Sequence, residues 1–118
     1  MWSILIILLL LDSVYLTLIK KQFNAQISRI QGSPVKINWF GFGLTYLALA
    51  FGLKYFIVDP KKNKWDAFVL GVVIYAVYEF TNLALFTNWS LGLALIDVLW
   101  GGILFALTLY IYKLVDNY

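Results

Sequence analysis

The sequence predicts an all-α integral membrane protein, four transmembrane helices in an up-down bundle joined by short loops. Three observations carry that reading. The chain of 118 residues is 63% hydrophobic and only 13% charged, whereas a soluble domain is about half apolar and a quarter charged. A soluble chain of this length buries only part of its surface, so the excess apolar area must face lipid. The apolar residues also gather into four runs, each near the ~20 residues that cross a hydrocarbon core as a helix.

The first run, "MWSILIILLLLDSVYLTLI" over residues 1–19, has no basic residue before it and no small-residue cleavage site after it. It therefore reads as an uncleaved span rather than a signal peptide. The second covers 39–58 and is closed by Asp59-Pro60, a dipeptide that resists helical continuation. The third covers about 65–86 and the fourth about 90–113. Residues 1–118 thus form one membrane domain. Trp39, Trp65, Trp89, Tyr110 and Tyr112 lie at the span edges, as interfacial aromatic belts do.

The connections differ in kind. Residues 20–38, "KKQFNAQISRIQGSPVKIN", carry Phe23, Ile27 and Ile30 at helical spacing. The first half of this loop is therefore expected to form an amphipathic helix in the interface, broken at Gly32, Ser33 and Pro34. The second connection, "DPKKNK", is short and basic, and the third, "TNWS", is a tight turn that makes the last two spans a hairpin.

The net charge of +3 does not point to nucleic acid. The basic residues sit beside the apolar runs, and Lys20, Lys21, Lys61, Lys62 and Lys64 are placed to anchor helices at the lipid headgroups. Four spans put both termini on one side, and the compact basic second loop leans that side to the cytoplasm. The chain lacks cysteine and histidine, which excludes disulfides, thiol chemistry and Ser-His-Asp catalysis. Neither a metal centre nor a cofactor is expected, and no enzyme motif is present. The expected partners are the bilayer and a second copy of the chain or a larger membrane-associated assembly.

Three carboxylates interrupt the apolar runs: Asp12, Glu79 and Asp97. Each lies about seven or eight residues from the same membrane face, hence roughly 11–12 Å deep at ~1.5 Å per residue. They share a layer near the midplane with no lysine or arginine at that depth, Lys54 lying four positions from the opposite face. Three ionised carboxylates there would be very costly, so protons, a cation or a wet pocket must accompany them. Intramembrane acids mark functional sites by default. Tyr75, Glu79 and Asn82 share one face of the third span with Tyr78 alongside, and Asp97, Trp100 and Gly101 share one face of the fourth. The candidate ligand or ion site is therefore Asp12, Tyr75, Tyr78, Glu79, Asn82 and Asp97. Trp100, Gly101 and Gly102 are the candidate helix-packing residues. A short echo links "LLDSVYL" to "LIDVLWG", both acid-x-x-aromatic, and is brief enough to arise by chance.

The run "YAVYEFTNLALFTNWSLGLALIDVLWG", with the early "LLDSVYL" and "NWFGFGLTYLALAFGL", resembles the predicted membrane proteins grouped as domain of unknown function 2177. The likeness spans nearly the whole chain. The matching signature positions are Asp12, Tyr78, Glu79, Thr81, Asn82, Leu83, Trp89, Asp97, Trp100 and Gly101. Glu79 stands where the family usually has Asp, and Tyr15 where Trp is common. The resemblance implies a compact four-helix membrane protein and supplies no activity. Two functions follow from the residues themselves. One is binding or moving a proton, a cation or a small polar ligand at the acidic layer. The other is structural, organising a bilayer or anchoring a larger assembly such as a virion membrane.

Overall fold

A computed structural model of the chain describes residues 2–33 and 36–116. Four helices follow one another: α1 (Trp2–Gln31), α2 (Trp39–Leu53), α3 (Lys64–Leu85) and α4 (Leu91–Asp116), with a π-helical turn over Lys54–Val58 prolonging α2. All four are long and apolar enough to cross a membrane, α2 together with its π-helical turn. The molecule measures 47 × 24 × 22 Å, and its long axis matches a bilayer with its headgroup regions.

Local chemistry sets the helix ends. Gly32 takes the left-handed conformation at φ 72° and its N–H donates to Ser28 O at 2.9 Å, an ordinary glycine stop. Asn38 caps α2 by accepting from Gly41 N–H, and Asn63 caps α3 by accepting from Asp66 N–H. Ser90 Oγ accepts from Leu93 N–H at the start of α4. These bonds satisfy N–H groups that a helix start leaves unpaired. Pro34, expected to help break the first loop, lies outside the described residues.

One expectation is corrected. The first half of loop 20–38 is helical, yet it is no separate interfacial helix; α1 runs unbroken to Gln31. The reason is in the packing. Gln26 is almost wholly buried, and its Oε1 accepts from Ser90 N–H at 2.5 Å. The extension is thus fastened to the α3–α4 turn rather than floating in the headgroups.

Side chains facing outward confirm the solvent. Trp2, Ile6, Leu10, Val14 and Leu18 recur every four residues on α1 and are all exposed, an apolar stripe that only lipid can cover. Helices α3 and α4 form the tightest pair, α1 packs on α4, and α2 leans on α1. A Cβ built on Gly71 would lie 2.1 Å from Gly101 O, and one on Gly102 would meet Phe68 and Val72. Gly101 and Gly102 lie in the α3–α4 crossing, where backbones touch. Gly71, on the partner helix, completes it.

The bundle has two unlike halves. Toward the termini, Ile4, Leu8, Leu53, Leu104, Phe105 and Leu109 are fully buried and make a dry core. Toward the other face the same helices carry Asp, Tyr and Thr, and they part around a cavity.

Candidate functional site

Helices α1 and α4 run antiparallel, and each presents an acid followed three residues later by an aromatic ring. The two motifs interlock. Tyr15 Oη donates to Asp97 Oδ1 at 3.0 Å, and Trp100 Nε1 donates to Asp12 Oδ1 at 2.9 Å. The two rings stack between the acids, with centroids 4.7 Å apart and planes 8° from parallel. The short echo between "LLDSVYL" and "LIDVLWG" is thus a physical exchange across the helix pair, each motif's ring serving the other's carboxyl. Tyr46 Oη from α2 donates to the second oxygen of Asp12, so α1, α2 and α4 all meet at that side chain.

Glu79 is buried on α3. Trp89 Nε1, from the turn, donates to its Oε1 at 2.8 Å. Trp89 was expected in the lipid-facing belt; it is instead 6% exposed. Its indole faces inward to donate to Glu79, since a buried indole N–H takes a partner where it can. Trp39, Trp65 and Tyr110 do face outward, while Tyr112 is partly buried against the core.

A cavity of about 670 Å³ opens between α1, α2 and the α3–α4 hairpin. Asp12 and Asp97 lie in its wall with the rings of Tyr15, Tyr46, Tyr75 and Tyr78. Lys20, Phe23 and Asn24 of the α1 extension line it farther along. Its existence follows from the loose fit of α2, which rests on α1 and barely touches the hairpin.

The predicted residues divide accordingly. Asp12, Asp97, Tyr75 and Tyr78 line the cavity. Glu79 and Asn82 do not: Glu79 stands behind Asp97 and accepts from Trp89, and Asn82 lies one turn beyond Tyr78 on the same helix. The spacing argument placed Tyr75, Glu79 and Asn82 on one face of the third span, but a helix face is wider than a pocket wall. Trp100 serves as both a packing residue and the donor to Asp12. Lys20, Lys21, Lys61, Lys62 and Lys64 are exposed, and Lys54 pairs with Asp59 at 2.9 Å rather than with any acid of the layer. Tyr46, Gln26 and Gly71 had no place in the predicted site. The signal for Gln26 was available: an amide among apolar helical positions that cannot be left without a partner when buried.

A family described as "Predicted membrane protein (DUF2177)" matches residues 1–112. No curated protein and no solved structure matches the chain.

Proposed function

The chain belongs to the DUF2177 family of predicted membrane proteins, and from that premise we propose that it is a multi-pass membrane protein whose cavity binds a small organic ligand. The ligand presents a positively charged or hydrogen-bond-donating group to Asp12 and Asp97. One observation carries this reading: a cavity of about 670 Å³ with two carboxylic side chains in a largely apolar wall. Ligand pockets are of this size, ~300–1,000 Å³, and pair apolar walls with a few placed polar groups. A proton or a bare ion needs no such room.

A second reading rests on a different observation. Both oxygens of Asp12 and one each of Asp97 and Glu79 already accept from Tyr or Trp of another segment. Cross-helix bonds of this kind hold membrane bundles together, each worth ~0.6–2 kcal/mol. On that reading the protein is a structural membrane component within an assembly.

One experiment separates the two. Purified protein in lipid nanodiscs is titrated with benzylamine at neutral pH, with Asp97→Asn and Asp12→Asn alongside. Binding that falls at least tenfold in Asp97→Asn, in a variant that still unfolds cooperatively, supports the cavity. Benzylamine binding that is unchanged in both variants while their thermal stability drops leaves the structural reading.

A further inference from the structure

We propose that the cavity is built for a quaternary ammonium group rather than for an amine bearing N–H donors; the proposal rests on the ligand-binding reading above and narrows its chemistry. Two features of the wall lead to it. The first is the state of the carboxyls. Asp12 accepts from Tyr46 at one oxygen and from Trp100 at the other. Asp97 accepts from Tyr15 at Oδ1. These acids offer negative charge while much of their accepting capacity is occupied. A primary amine brings three N–H donors that need acceptors once buried. A quaternary ammonium brings charge and no donors, so it leaves no N–H unpaired where three of the four oxygens of Asp12 and Asp97 already accept.

The second feature is the aromatic wall. Tyr15, Tyr46, Tyr75, Tyr78 and Phe42 line the cavity from all of α1, α2 and α3. The hydrogen bonds of Tyr15 and Tyr46 to the carboxyls fix those two rings beside the negative charge. Aromatic faces attract cations, and cages of such rings are the recurrent recognition device for quaternary ammonium groups. The two features are independent, since one concerns the acids' oxygens and the other the rings. The charged group facing the cavity from the other direction is Lys20. It is exposed, eight residues beyond Asp12 on α1, which is ~12 Å along the axis. At that distance it can reach the headgroups and leave the acidic end free for a cation.

The test compares three probes of like shape on the intact protein in nanodiscs: benzyltrimethylammonium, its neutral isostere neopentylbenzene, and benzylamine. Benzyltrimethylammonium is expected to bind at least tenfold more tightly than either of the others. Tyr78 is half exposed, so its replacement spares the fold. Tyr78→Leu is expected to weaken the quaternary probe several-fold and Tyr78→Phe to restore most of that loss, because the ring rather than the hydroxyl is used. If benzylamine binds as tightly as the quaternary probe, or more tightly, the proposal is overturned while the ligand-binding reading stands. Equal binding of neopentylbenzene shows that charge plays no part and overturns both, as does failure of all three probes to bind.

Discussion

At the scale of single residues, the close contact between α3 and α4 depends on side chains that are missing. The Cβ of an alanine at position 71 would fall 2.1 Å from the Gly101 carbonyl oxygen, a backbone atom that cannot swing aside. Gly71→Ala must therefore push the two helices apart, and overpacking of this kind costs about 1–3 kcal/mol. Gly43 supplies the control, since a Cβ there meets nothing within 4 Å. Gly43→Ala lies inside α2, where replacing glycine gains about 0.5–1 kcal/mol. Thermal unfolding in one detergent or nanodisc should thus move in opposite directions for the two substitutions. Equal losses at both positions would mean that the crossing is not the tight contact described.

At the scale of elements, α1 is more than a span. Its last three turns pass beyond the acidic layer and attach to the α3–α4 turn through Gln26 and the Ser90 N–H. That bond holds Phe23 and Asn24 against the cavity. It also braces the turn that carries Trp89 to Glu79. Gln26→Ala leaves a partly buried backbone N–H without its acceptor, at a cost of about 1 kcal/mol. Hydrogen exchange should rise at Ser90 and through residues 20–31, while residues 100–110 of the dry core stay protected. Uniform protection across α1 after the substitution would show that apolar packing alone fixes the extension.

At the scale of the whole molecule, the bundle is zoned along its axis. The half near the termini is closed by Leu, Ile and Phe, and the opposite half holds the carboxyls and the cavity. The cavity therefore opens toward the face of the α1–α2 and α3–α4 connections. Four crossings would place both termini on the face of the basic α2–α3 loop, which is an expectation for experiment. The chain has no cysteine, so single cysteines at Lys62 and Lys36 give an unambiguous topology test. An impermeant thiol reagent should label the two from opposite sides of sealed vesicles, with a cysteine at Asp116 labelled from the same side as Lys62. Labelling of Lys36 and Lys62 from one side would require a different number of crossings.

The sequence by itself determined the membrane class and the four helices, and it counted the three acids to one expected depth. These depend on composition and on counting along a chain of known rise, both of which are local. It also marked Gly101 and Gly102 as a place of close approach. Contacts between elements lay beyond it. That Trp89 turns inward, that Tyr15 and Trp100 exchange acids, and that Glu79 stands behind Asp97 all depend on how helices rotate about their axes. In lipid every face of a helix here is apolar enough to turn outward, so hydrophobic periodicity sets that rotation weakly. The hydrogen bonds of the buried polar groups set it instead, because in hydrocarbon an unpaired donor or acceptor has no water to turn to. Those partners are separated by up to 88 residues in the chain, and only the folded bundle brings them together.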